Sequence, residues 1–383
     1  MNYYLVINWH RALFTGLLVV LLGLGWCRST AVPAPPPLPL QARIGQMLLV
    51  CFEGQDLPPQ HPLLEDIHLR HLGGVMLRSN SSKGSTTTGN IVSPTQLQLL
   101  TNSLQNASPT PLLIAVDQEG GRVSRLKARD NFPPTTSFAE LGRKNDLAMT
   151  RQRSNDIAKT LHRFGINFNF SPVVDLNRNP NNPVIGSLDR SFSADPARVT
   201  AHAGQVVAAH RAHAIATCLK HFPGHGSSTA DSHRGFVDIT ETWSESELLP
   251  FANLIKAGLV DAIMTAHVYN ARLDRDLPAT LSRPILRGLL REKLAYDGVI
   301  ISDDLRMDAI SSLYPAEEAV ERAINAGVDI LLICTSDEQI VGTTVSLIYE
   351  LVQQGRISEQ RIDQAYRRIS RLKSNLSNKP PAD

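Results

Sequence analysis

The chain has 383 residues, 42% of them hydrophobic and 19% charged, with 38 Lys and Arg against 36 Asp and Glu for a formal net charge of +2. Such a balance can bury a sizeable core and excludes a disordered or collagen-like chain. It also lacks the strong basic field that nucleic acid or an anionic membrane surface requires, so the expected partner is small and close to neutral.

Residues 12–27 read ALFTGLLVVLLGLGWC, an uncharged run that follows Arg11 and precedes Ser29, Thr30 and Ala31. Charged, apolar and small-residue parts in that order resemble a secretory signal. The run is short for a spanning helix, which takes about 20 residues. Residues 1–31 are therefore expected to be a cleavable export signal, with a retained membrane anchor as the alternative. Trp26 argues against lipid attachment through Cys27. The expected localisation is periplasmic or extracellular, tethered to a membrane if the leader stays. Residues 32–40, VPAPPPLPL, read as an extended spacer. Residues 41–383 then form one folded domain, expected to be monomeric.

Apolar runs recur at residues 46–52, 74–77, 112–117, 167–175, 216–220, 262–267, 299–303 and 329–334, separated by longer segments of helical period. Short apolar runs alternating with helices are the pattern of βα units around a parallel sheet, and eight of them specify an α/β chain folded as a TIM (β/α)8 barrel. Helices are expected at 146–164, 196–213, 245–257, 284–294 and 315–326, three of them stopped by Gly165, Gly258 and Gly327. A last amphipathic stretch, 358–376, puts Ile362, Ala365, Ile369 and Leu372 on one face and should pack on the barrel exterior. Cys51, Cys218 and Cys334 lie in or beside apolar runs and read as small core residues, with no disulfide framework. His202, His210 and His213 fall in an expected helix, where solvent exposure is the simplest account.

Barrel enzymes carry their chemistry at the carboxyl ends of the strands. Asp117, Asp175, Lys220 with His221, His267, and Asp303 with Asp304 fall there. Asp303 is the better placed nucleophile, held rigidly by its strand, while Asp304 reads as a helix cap. After the fifth run comes KHFPGHG, residues 220–226, and then Asp231, Ser232 and His233. Asp231 is close enough in sequence to orient the His233 ring, and a carboxylate facing a proton-donating imidazole suits cleavage of a glycosidic bond. A polar loop of satisfied histidines is the plainer reading. A metal site of His221, His225, His233 and Asp303 is a further alternative, which the neighbouring Lys220 cation opposes. Asp117 and Arg125 flank paired glycines, where they can bind sugar hydroxyls or brace the barrel as an ion pair.

The strings AVDQEGGRVSR (115–125), NFSPVVD (169–175), DRSFSADP (189–196), KHFPGHG (220–226), DSH (231–233), IMTAH (263–267) and GVIISDDL (298–305) occur in this order. With them the chain resembles glycoside hydrolase family 3, in particular its single-domain bacterial β-N-acetylhexosaminidases of peptidoglycan recycling, from Ile44 to Leu376. The resemblance implies Asp303 as catalytic nucleophile, His233 as general acid/base and Asp231 as the partner of that histidine. It implies that Asp117, Arg125, Arg190, Lys220 and His221 hold a terminal N-acetylglucosamine, and that no metal or organic cofactor is needed. The implied reaction is hydrolysis of N-acetylglucosaminides or muropeptides by double displacement with retention. A phosphorylase or β-glucosidase of the same family is the enzymatic alternative, and a non-catalytic carbohydrate-binding cell-wall module the alternative from another class. No second domain is expected after the barrel. The leader departs from cytoplasmic recycling members.

Overall fold

Eight strands lie where the apolar runs predict them: β1 (Leu48–Cys51), β2 (Gly74–Leu77), β3 (Leu113–Val116), β4 (Phe168–Asn169), β5 (Ala216–Phe222), β6 (Ala262–Thr265), β7 (Val299–Ile301) and β8 (Leu331–Ile333). The structure is a computed structural model that describes residues 38–79 and 89–377. The expected leader and most of the expected spacer lie outside these residues.

All eight strands run parallel in the order β8-β1-β2-β3-β4-β5-β6-β7. A parallel bridge between Ile301 and Ile330 joins β7 to β8 and brings the ends of the sheet together. This is the (β/α)8 plan. Every strand residue is buried, which is why parallel strands covered on both faces read as continuous apolar runs rather than alternating ones.

A helix follows each strand. Five coincide with expected segments: Leu147–Arg163, Pro196–Arg211, Leu249–Lys256, Pro284–Lys293 and Ala316–Ala326. Pro62–Leu69, Pro94–Ala107 and Ile340–Gln353 complete the ring and were not anticipated. Pro94–Ala107 is capped by the Ser93 side chain and opens on proline, but turns only Leu97, Leu100, Thr101 and Leu104 inward. The final helix, Glu359–Ser377, buries Ile362, Ala365, Ile369 and Leu372 as its periodicity requires. At the amino end of the barrel, buried Asp329 binds Arg291 (2.6 Å) and Arg361 (2.7 Å), bracing the end opposite the site. No helix among the described residues is long and apolar enough to cross a membrane.

Two expectations are corrected. His202, His210 and His213 are buried, not solvated: His202 and His213 pair with Thr150 and Asn155 of the helix Leu147–Arg163 (2.8 and 2.7 Å), and His210 pairs with Asn169 of β4 (3.0 Å). Polar partners on the facing elements satisfy the rings, so burial costs little. Cys51 and Cys334 are joined in a disulfide, because closing the barrel puts the ends of β1 and β8 side by side. Cys218 is a free, buried thiol as expected.

Candidate active site

The strand ends deliver a buried ionic cluster. Lys220, at the end of β5, donates from Nζ to Asp117 Oδ1 and sits equally close to Glu119 Oε1, both at 2.7 Å. Arg125 donates to Asp117 Oδ2 (3.0 Å), and Arg190 forks onto both oxygens of Glu119 (2.8 and 2.7 Å). Burial alone would push the Asp117 and Glu119 carboxyls up. Lys220 and Arg125 outweigh it at Asp117, and Arg190 and Lys220 outweigh it at Glu119, so both are held below the usual carboxylate range. Lys220 is raised in turn, its own burial outweighed by Asp117 and Glu119.

Asp189 adopts a left-handed φ of 56° in the turn that presents Arg190, whose Nη1 donates to the Val184 carbonyl (2.8 Å). Arg190 Nη2 lies 3.4 Å from His221 Nε2, linking the cluster to the next loop.

That loop is anchored by Asp175, which is buried beyond β4. His221 Nδ1–H donates to Asp175 Oδ2 (2.7 Å), and Oδ1 accepts the amides of His221 (3.2 Å) and His225 (2.8 Å). Gly226 packs so closely on the Leu176 carbonyl that an added Cβ would lie 1.8 Å from its oxygen, so no side chain fits there. Asn182 Nδ2 donates to the His225 carbonyl (2.8 Å) and to Ser228 Oγ (2.9 Å). His225 is enclosed, pairing with Ser228 Oγ at Nδ1 (2.8 Å) and Ser232 Oγ at Nε2 (3.2 Å). Burial holds its ring at about 4, with His221 adding to the effect, so it is neutral at pH 7.

The segment then presents Asp231 and His233. His233 Nδ1–H donates to Asp231 Oδ1 (2.8 Å), which also accepts the His233 amide (2.9 Å). This fixes the tautomer and leaves Nε2 facing outward on a side chain that is 62% exposed. The two-residue spacing makes the pair from one turn.

Asp303 lies just past β7. Its Oδ1 accepts the Asp304 amide (2.9 Å). Burial pushes this carboxyl up, but His267, His221 and His233 together with the amide pull it below its ordinary value, so it is an anion at neutral pH. His221 and His233 from β5 and the segment after it, and His267 from beyond β6, converge on one carboxylate.

Asp304 is not a helix cap. Its Oδ1 accepts the amides of Arg306 and Cys334 (both 3.0 Å), tying the end of β7 to that of β8, while the helix Asp308–Ser311 starts without a side-chain cap. Among the described residues no group of three or more His, Cys, Asp or Glu side chains is arranged to hold a metal ion. His221 and His225 instead have ring centroids 6.0 Å apart and are committed to Asp175, Ser228 and Ser232.

The expected sugar-binding residues Asp117, Arg125, Arg190, Lys220 and His221 thus form one connected cluster, and Asp231 pairs with His233. Sequence reasoning passed over Glu119, whose signal was available: two residues after Asp117 on an extended chain, it points to the same side. It also gave no role to His267, buried with Nε2 against the Asp304 carbonyl (2.9 Å) and Nδ1 against Thr280 Oγ1 (2.8 Å).

A (β/α)8 barrel that gathers carboxylates, basic side chains and an aspartate-histidine pair at the carboxyl ends of its strands has the site of a barrel enzyme. Residues 39–372 match the model of the glycosyl hydrolase family 3 N terminal domain, and the chain belongs to that family of hydrolases. It is 34% identical to beta-hexosaminidase A of Pseudoalteromonas piscicida over 90% of this chain and 63% of that protein. A family 3 β-N-acetylglucosaminidase structure from Paenibacillus sp. str. FPU-7 superposes with a TM-score of 0.81 at 33% identity, covering 91% of this chain and 64% of that one. The β-N-acetylhexosaminidase of Beutenbergia cavernae superposes with a TM-score of 0.80 at 29% identity, covering 89% of this chain and all of that one. The chain therefore spans less than two thirds of the first two of these proteins.

Proposed function

We propose that this chain is a retaining, exo-acting β-N-acetylhexosaminidase that releases terminal non-reducing N-acetylglucosamine from peptidoglycan fragments or chitin-like oligosaccharides. The observation that carries the reading is the buried Asp303 carboxylate just past β7, its pKa held below the ordinary value, with His267, His221 and the Asp231–His233 pair around it. The relatives' names support the choice of sugar.

In the first step Asp303 attacks the anomeric carbon, most directly through Oδ2 because Oδ1 is engaged by the Asp304 amide. The bond to the leaving oxygen breaks as His233 Nε2–H protonates it, giving a glycosyl ester. His233, now neutral at Nε2, takes a proton from water. The resulting oxygen attacks the same carbon, releases Asp303 and restores the original configuration. Asp231 holds the ring in the tautomer both steps need. Asp117, Arg125, Arg190, Lys220 and His221 bind the terminal sugar through its hydroxyls and N-acetyl group.

Export is the proposed localisation, through a signal or anchor in residues 1–31. The Cys51–Cys334 disulfide supports it, since disulfides persist in oxidising compartments.

The test is turnover of a chromogenic β-N-acetylglucosaminide. Wild type should release free sugar in phosphate buffer, and Asp303→Ala should lose on the order of 10³-fold or more in kcat. Sugar 1-phosphate as product would make the enzyme a phosphorylase, and binding without turnover would make it a carbohydrate-binding module.

A further inference from the structure

Glu247 lies just before the helix Leu249–Lys256, yet it is 1% exposed and neither carboxyl oxygen makes a hydrogen bond. It faces the turn that follows His221. A Cβ placed on Gly224, whose φ is +123°, would lie 2.6 Å from Glu247 Cβ and 2.7 Å from Oε2. Ser227 Oγ, in the same turn, is likewise buried without a partner. Trp243 closes this side by donating from Nε1 to the Pro223 carbonyl (3.1 Å). Asp175, Asn179 and Asn182 hold the other side through the His225 amide, Ser228 carbonyl and His225 carbonyl. The turn reaches the acid/base segment through His225 Nε2 and Ser232 Oγ, next to His233.

A buried carboxyl without partners persists as the neutral acid, because its anion has lost water and gained nothing in exchange. We propose that Glu247 is a proton-dependent positioning residue: protonated, it keeps the turn Gly224–Ser227 packed between Trp243 and Asp175 and holds His233 over the mouth, and ionised, it loosens that turn. Burial pushes its carboxyl up to about 7, and the Asp175 charge adds to this; the Ser227 hydroxyl and the Gly226 and Ser244 amides oppose it without ordinary hydrogen-bond geometry. His225, the nearest titratable ring in the turn, is already neutral well below that pH, so it does not supply a cation in the same range. The packed state is full below the ordinary glutamate range and is lost as pH rises through 7.

The kinetic consequence rests on the assignment of His233 above, whereas the spectroscopic one does not. Tryptophan emission of the full chain should change between pH 6 and 8 with a midpoint near 7 in wild type and in His233→Ala. The change should vanish in Glu247→Gln, which is always neutral, and in Trp243→Phe, which removes the reporter. Because the two enzymes share every other titrating group, the ratio of kcat/KM at pH 6 to that at pH 8 should fall severalfold in Glu247→Gln relative to wild type. Should Glu247→Gln not fold, amide exchange of Gly224–Ser227 in wild type, corrected for intrinsic rates, should show at least tenfold less protection at pH 8 than at pH 6. An emission midpoint that survives Glu247→Gln, no midpoint in wild type, an unchanged activity ratio, or equal protection at the two pH values would each overturn the proposal.

Discussion

Asp175, in the segment beyond β4, and His221, near the end of the neighbouring β5, face each other, with Oδ2 of the one 2.7 Å from Nδ1 of the other. The same carboxylate holds the His221 and His225 amides, so a single buried group sets both the His221 tautomer and the path of the loop. With Nδ1 protonated, Nε2 of His221 is the acceptor that faces Arg190 and the mouth. Asp175→Asn keeps an oxygen for the two amides but removes the charge and presents an NH2 group to the ring N–H. We expect a loss of about 1–3 kcal/mol in stability by urea denaturation, from donors left without a full acceptor, together with a rise in KM. Unchanged KM would detach His221 from substrate binding.

His233 offers Nε2 outward while Asp231 fixes Nδ1. A general acid matters most when the leaving oxygen is basic, and such catalysis contributes about 10²–10⁴-fold. His233→Ala should therefore slow a substrate with a sugar leaving group by that range, and one with a nitrophenol leaving group far less in the first step. Asp231→Asn should follow the same pattern more weakly. Equal slowing of both substrates, seen in single-turnover rates, removes His233 from the acid role.

The strands were legible because each is buried on both faces and has no reason to alternate. Pro94–Ala107 escaped notice because a ring helix of a barrel can be mostly polar, turning one narrow stripe inward. The candidate nucleophile and the Asp231–His233 pair could be read because their geometry is local: one lies just past a strand end, the other in a two-residue turn. Pairings made by barrel closure are different. Cys51 and Cys334 are 283 residues apart and meet only because the last strand lies beside the first. Glu119 was hidden by its neighbour Asp117, and the three helix histidines by the absence of any local sign that Thr150, Asn155 and Asn169 would face them.

The Cys51–Cys334 link closes nearly the whole barrel and should stabilise it chiefly by restricting the unfolded chain. Replacing both residues with serine is expected to cost about 2–4 kcal/mol, read from the denaturation midpoint under oxidising conditions. Wild type treated with a reductant should fall to the same midpoint. Identical midpoints for wild type and the double variant, both oxidised, would mean that the bond contributes nothing.

His210 supplies a pH-dependent term that can be isolated. Its Nδ1–H donates to the Val206 carbonyl (2.9 Å), and its Nε2 accepts from Asn169 Nδ2 (3.0 Å), an arrangement that satisfies a neutral ring and has no place for a second proton. Burial accordingly pushes its pKa down to about 4, only partly opposed by the Val206 carbonyl. A histidine depressed in the folded state is stabilising above its unfolded value of about 6.5, and that contribution drains away as pH falls toward 4. Over this window the unfolded chain binds the proton that the folded one refuses, which is worth on the order of 3 kcal/mol. Asp66 and Asp304, raised mainly by burial to about 6, run in the opposite sense, so the stability of wild type alone does not expose the histidine. The difference between wild type and His210→Gln does, because those carboxyls are common to both. That difference, measured by urea denaturation, should be constant above pH 7 and shrink steadily from pH 6.5 to pH 4. A difference that stays flat across the window would mean that His210 takes up its proton as readily inside the barrel as in water.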